Sequence, residues 1–269
     1  MNATVAKLLD RYQRYDLSKT VDYDKFNRYA VTHHSTRIEG STLTDTETQL
    51  LLDEGLTPKG KPLEHSLMAK DHHQALLFVL REASAGREIS VDFIRQINAQ
   101  VMQSTGSVYH TALGQVDASQ GEFRKGNVTA GGAYFPNYDK VPRLTEQLVE
   151  ELYNSAEQKT TVAEQLERSF AAHFNLVSIH PFYDGNGRSS RLLMNFIQAH
   201  NSLPLAIVFS EDRNDYFTAL QETRQREDIN IFHQFMYAQY EKYLGQEIDK
   251  YEAMLGGRSS SGSSYSLLF

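Results

Sequence analysis

Four side chains with acid–base, metal-binding or anion-binding chemistry fall within one twelve-residue stretch, His180-Pro181-Phe182-Tyr183-Asp184-Gly185-Asn186-Gly187-Arg188-Ser189-Ser190-Arg191. The His180 imidazole can accept a proton near neutral pH. Asp184 offers the hard oxygen that suits Mg²⁺ carrying nucleotide phosphates. Gly185 and Gly187 permit positive φ and close approach of the backbone to a ligand. A helical pattern with Leu192, Leu193, Phe196 and Ile197 as its apolar residues begins near Arg188. The stretch therefore ends at a helix N-terminus, whose unpaired N–H groups and dipole favour an anion. Arg188 and Arg191 share a face of the first turn, where the dipole alone disfavours cations, which argues for an anion between them. Each residue taken singly has an ordinary explanation in a turn or a helix end. A base, a magnesium ligand and an anion nest together indicate phosphoryl or nucleotidyl transfer.

The elements around this stretch are mostly helices. Val162, Leu166, Phe170, Phe174 and Val177 recur at helical spacing and predict a helix ending near Ile179. Ser90 caps a helix through Val101, with Gly106 as a stop, and Thr44 with Glu47 forms a capping-box pattern. Further amphipathic segments cover Leu63 to Leu80 and Ile229 to Leu244, and another begins near Tyr23. In the last of these Ser35 and Glu39 share a face, and Gly40 can end the helix in a left-handed cap. One region departs from helix: Asn127 to Phe135 reads as two short arms joined across Gly131 and Gly132, a hairpin that must lean on its surroundings. Gly256 to Phe269 reads as a flexible Ser/Gly-rich tail, leaving residues 1–255 as a single domain.

Composition removes several functional classes. The 269 residues carry a formal charge of −7, which opposes nucleic acid and anionic membranes. There is no cysteine, hence no disulfide, thiolate nucleophile or Cys-type zinc site. Apolar runs such as Leu203 to Phe209 fall far short of the ~20 residues that span a bilayer. The N-terminus lacks the apolar core of a signal peptide, so a soluble, cytoplasmic protein is expected. His33 and His34, like His72 and His73, are adjacent and point about 100° apart on a helix, a poor metal site.

The stretch from His180 to Arg191 resembles the signature of the Fic family, HPFxDGNGRxxR, with every fixed position present. Gly121 to Val128, the hairpin after it and Leu192 to Phe196 resemble the same family, and the likeness covers about Asp24 to about Leu244. The resemblance implies a helical bundle with a short β-hairpin flap beside the active site. It also implies transfer of AMP from ATP to a Ser, Thr or Tyr hydroxyl of a target protein. His180 would be the base, and Asp184 would hold Mg²⁺. Gly185, Asn186 and Gly187 would form the anion hole, and Arg188 and Arg191 would bind the phosphates, Arg191 on the γ-phosphate. Val128, Thr129, Tyr134 and Phe135 would belong to the flap that docks the target by strand addition. Tyr216 would line the adenine pocket; an ordinary aromatic of an amphipathic helix is the competing assignment. A toxin branch that phosphorylates its target has lysine for the second glycine and lacks the final arginine; Gly187 and Arg191 instead imply the AMP-transferring orientation.

Ser35-Thr36-Arg37-Ile38-Glu39-Gly40 resembles the family's inhibitory motif, [ST]xxxE[GN], on a helix N-terminal to the core, about residues 23–40. Glu39 would then pair with Arg191 and displace the γ-phosphate. Removal of AMP as a second activity, self-modification at Tyr265 or the tail serines, and homo-oligomerisation all stay open. The alternative is a nucleotide-sensing or antitoxin-like binding module without turnover. One segment departs from the family: Met68-Ala69-Lys70-Asp71 stands where a Glu and an Asn are expected.

Overall fold

The computed structural model describes residues 3–17, 23–130, 132–156 and 160–259. Ten α-helices follow in order: α1 (Ala3–Arg14), α2 (Tyr23–Ile38), α3 (Asp45–Asp53), α4 (Leu63–Ser84), α5 (Val91–Val101), α6 (Val141–Ala156), α7 (Val162–Ile179), α8 (Asn186–His200), α9 (Arg213–Arg226) and α10 (Ile229–Ser259). Between α5 and α6 lie two antiparallel hairpins, β1 (Val108–Thr111) with β2 (Gly114–Asp117), and β3 (Thr129–Ala130) with β4 (Ala133–Tyr134). The expected mainly α class is what the chain adopts, with the expected hairpin as β3–β4. The pair β1–β2 was not anticipated: Val108 to Asp117 carries few apolar residues, and four of its eight paired residues, Val108, His110, Gly114 and Gln115, are exposed.

Helix α8 is the centre. Every residue from Arg188 to Gln198 is buried, with α7, α4 and α5 packed around it. A helix buried all round needs partners for its polar side chains. Asn195 donates to the Ala206 carbonyl at 3.0 Å, while Gln198 accepts from Ala206 N–H at 2.8 Å and donates to Ser169 Oγ at 3.0 Å. These bonds hold Leu203 to Phe209, an apolar strap without regular structure, inside the core. Its other backbone groups turn to α10, where Gln239 accepts from Phe209 N–H and Tyr240 donates to the Pro204 carbonyl.

The caps follow the sequence closely. Ser90 accepts from Phe93 N–H, and Thr44 and Glu47 close a reciprocal capping box. Glu39 ends α2, where the Gly40 N–H reaches Arg37 and the Ser41 N–H reaches Thr36, the Schellman pattern. Asp71, in the segment that departs from the family, is buried and accepts from the Ser104 N–H at 2.7 Å and hydroxyl at 2.8 Å, fixing the turn after α5. Helix α10 runs to Ser259, so the glycines at 256 and 257 do not begin a linker. The rest of the expected tail, 260–269, and Gly131 lie outside the described residues. No helix among the described residues is long and apolar enough to cross a membrane.

A second capping box starts α7, the helix that ends at His180: Thr161 accepts from Glu164 N–H at 3.3 Å, and Glu164 accepts from Thr161 N–H at 2.7 Å. Thr161→Ala is expected to lower stability by about 1 kcal/mol, read as a reduced urea midpoint with an unchanged m-value.

Candidate active site

The loop joining α7 to α8 is fixed from both sides. His180 is the C-cap of α7 in the left-handed region, φ 53°, and Pro181 prevents the helix from continuing. Asn186 closes the loop, accepting from Phe182 N–H and donating to the Phe182 carbonyl, both at 2.9 Å. Its side chain is thus spent on the loop, and only its backbone faces the helix start. Gly185 caps α8 at φ 78°, and a Cβ there would lie 2.6 Å from Asn98 Nδ2 and 2.9 Å from Met102 Sδ. Asn98 is fully buried on α5 and donates to the Asp184 carbonyl at 3.0 Å and to Ser189 Oγ at 3.1 Å.

The two arginines stand differently. Arg188 is 2 % exposed; it reaches Asp184 at 3.3 Å through one terminal nitrogen, while Nε and Nη1 have no partner among the described residues. Burying an unsatisfied cation is costly, which marks Arg188 as built for an anion. Arg191 is nearly saturated. It donates from Nε to Ser35 Oγ at 2.8 Å and from Nη2 to the Ser35 carbonyl at 3.0 Å and Glu39 Oε1 at 2.6 Å. A Cβ on Gly187 would sit 2.3 Å from that same Glu39 oxygen, so the carboxylate rests against the first turn of α8. Burial pushes the Glu39 carboxyl up, but the Arg191 and Arg188 charges outweigh it and hold the group below the usual carboxylate range.

Tyr216 sits behind this pair and is 1 % exposed. Its hydroxyl accepts from Arg191 Nη1 at 3.5 Å and meets His173 Nε2 at 2.9 Å. Tyr216, expected to line the adenine pocket, is buried here and props the Arg191 guanidinium. His72 and His173 are fully buried below the arginines, and burial, then the Arg191 charge, keeps both neutral.

The β3–β4 hairpin leads into a residue that covers His180. Phe135 stacks on the His180 ring with centroids 3.9 Å apart and planes 21° from parallel, and Arg224 lies 5.6 Å from the Phe135 ring. Tyr134 is 88 % exposed, Thr129 is exposed and Val128 half-buried. Among the described residues β3 and β4 pair only with each other, Thr129 opposite Tyr134, which leaves their outer edges open there. The arginine that roots this hairpin, Arg124, escaped the sequence reading; its position just ahead of a glycine-rich turn was the only signal. The motif's variable position is also engaged, since Tyr183 stacks on Tyr109 of β1 at 4.5 Å.

The central helix of the bundle thus opens its N-terminus beside a capped histidine, with a hairpin above. Residues 88–198 match the Fic/DOC family, and the chain carries a Fic/DOC family domain. Protein adenylyltransferase Fic of Drosophila yakuba is 30% identical over 213 residues, 79% of this chain and 40% of that protein. Protein adenylyltransferase fic-1 of Caenorhabditis briggsae is 29% identical over 204 residues, 70% of this chain and 35% of that protein. The chain spans about two-fifths of the length of these curated relatives. A Fic domain containing signaling protein from Bacteroides thetaiotaomicron shares the fold at a TM-score of 0.79 and 23% identity, over 91% of this chain and 97% of its own. Fic-1 from C. elegans does so at 0.72 and 24%, over 91% and 69%.

Burial beneath Phe135 and the loop lowers the His180 pKa to about 4; the Arg124 and Arg224 charges act in the same direction, against the Val177 carbonyl and Glu39. Between about 4 and the ordinary 6.5 the unfolded chain then binds more protons at this residue, so its contribution to stability falls as pH drops through that window. An NMR titration of the His180 ring should give a midpoint near 4. Phe135→Ala should move it back towards 6.5; an unperturbed midpoint in the parent would contradict the stacked geometry.

Proposed function

We propose that this chain transfers AMP from ATP to a hydroxyl of a target protein, and that the form described here is held inactive by Glu39. The observation that carries the reading is the convergence on one helix N-terminus of His180, Asp184, the incompletely paired Arg188 and an Arg191 already occupied by a carboxylate. The family match and the relatives named protein adenylyltransferase support the same chemistry.

His180 Nδ1 lies 3.4 Å from the Val177 carbonyl. A proton on Nδ1 leaves Nε2 free to accept one from the acceptor hydroxyl. The hydroxyl oxygen then bonds to the α-phosphorus, the bond to the bridging oxygen breaks, and pyrophosphate leaves with its electron pair. The first-turn N–H groups at Asn186 and Gly187, with Arg188 and Arg191, stabilise the charge that develops on the phosphates. Among the described residues no three acid or histidine side chains gather into a metal cluster. A single exposed carboxylate, Asp184, completed by phosphate oxygens and water, is the donor set Mg²⁺ prefers. Mg²⁺ held there supplies neutralisation of phosphate charge.

Glu39 takes the guanidinium that the γ-phosphate requires and adds a negative charge where a phosphate must lie. Phe135 covers the base in the same form, so access by a target hydroxyl calls for movement of the flap as well. An acceptor strand along the open edge of β3 or β4 would set that hydroxyl near His180.

The test is the intact mass of Glu39→Gly after incubation with ATP, Mg²⁺ and candidate acceptor proteins, beside the parent and Glu39→Gly,His180→Ala. Added AMP on protein is expected with the single variant alone. ATP binding that tightens in Glu39→Gly, with no AMP transferred to any acceptor, would favour a nucleotide-binding module instead.

A further inference from the structure

Arg124 is 2 % exposed and no carboxylate is bonded to it; burial, the dominant influence, lowers its pKa. Each guanidinium nitrogen instead donates to a main-chain carbonyl. Nη1 reaches Gly126 at 2.8 Å, at the root of the arm leading into β3, and Nη2 reaches Pro136, just past β4. Nε reaches the carbonyl of His180 itself at 2.8 Å. The backbone N–H of Arg124 adds a bond to the Pro181 carbonyl at 3.0 Å. One cation therefore ties both arms of the hairpin to the residue that carries the base.

The hairpin needs this tie. Its strands are two residues long and pair with nothing else. Other hydrogen bonds at the root, Asn127 with Asn137 at 3.3 Å and with the Tyr138 N–H at 3.0 Å, do not reach His180, and the Phe135 stack holds the ring face without fixing the hairpin's arms to the backbone. His180 holds a left-handed conformation that few residues adopt, so a fixed carbonyl also fixes where its ring points.

We propose that Arg124 is the positioning residue that sets the distance between a target strand on the flap and the His180 ring. The inference rests on reading His180 as the base and the flap as the target dock. Only a planar fork with three donor nitrogens spans these three carbonyls; a lysine keeps the charge but has one nitrogen. The effect therefore follows geometry and not charge.

The experiment compares Glu39→Gly with Glu39→Gly,Arg124→Lys and Glu39→Gly,Arg124→Gln. Three quantities are read: AMP transfer at saturating acceptor, binding of an α,β-methylene ATP analogue with Mg²⁺, and hydrogen exchange of peptides covering the flap. Both Arg124 variants should bind the analogue like the parent, exchange faster through the flap, and transfer about a hundredfold more slowly, as a displacement near 1 Å predicts. Transfer at the parental rate by Arg124→Lys would overturn the proposal, because charge would then suffice. If Arg124→Gln does not fold, Arg124→Lys alone decides. Absence of transfer in Glu39→Gly counts against the proposed function instead. The clamp is then judged by flap exchange and the His180 titration, and unchanged values for both in Arg124→Lys overturn it.

Discussion

Burial of α8 on every side is the constraint from which the site follows. A helix enclosed along its length exposes unpaired N–H groups only at its start, and here that start opens between α5, the loop and α2. The chain must turn sharply to enter it, so α7 stops at a left-handed residue, and that residue is His180. The start of α8 and His180 are two ends of one tight connection. Their relative placement is set by backbone geometry, with Asn186 and Asn98 locking it through hydrogen bonds to main-chain groups.

Around that opening cations gather: Arg124, Arg188, Arg191 and Arg224, with Glu39 and Asp184 as the nearby carboxylates. In a chain of net charge −7 this is a local reversal of sign, the field an incoming polyphosphate needs. Helix α2 exploits it with a carboxylate of its own. It is held in place by more than the Arg191 pair, because Arg213 at the start of α9 donates to the Ile38 carbonyl at 2.7 Å and His34 accepts from the Ser210 N–H at 3.2 Å. The same α9 carries Tyr216, the prop behind Arg191, so one helix braces both members of the pair.

The sequence exposed those features whose signals are local. Caps at Thr44 and Ser90, the helix-loop-helix around Gly185, and the four-residue spacing of Ser35 and Glu39 all depend on neighbours in the chain. Features decided by distant partners stayed hidden. Arg124 finds His180 across 56 positions and binds only carbonyls, which every residue has, so no residue type announces the contact. The apolar run from Leu203 to Phe209 gave no sign that it would be a buried strap; side chains of α8 and α10 satisfy its backbone without helix or strand. That Tyr216 lies buried against Arg191 was not legible either, because periodicity places a residue on a face and says nothing of what lies against it.

Glu39 and Arg191 are 152 positions apart, and Glu39 comes first. Synthesis runs from the N-terminus, so α2 and its carboxylate have left the ribosome long before α8 emerges. The cation-binding partner is thus waiting when the anion nest forms, and no folding intermediate need expose a finished nest without it. A carboxylate placed after α8 would instead leave an interval at every round of translation in which Arg191 stood without it. The order of elements along the chain thus has the Glu39 carboxylate made before the helix that carries its arginine.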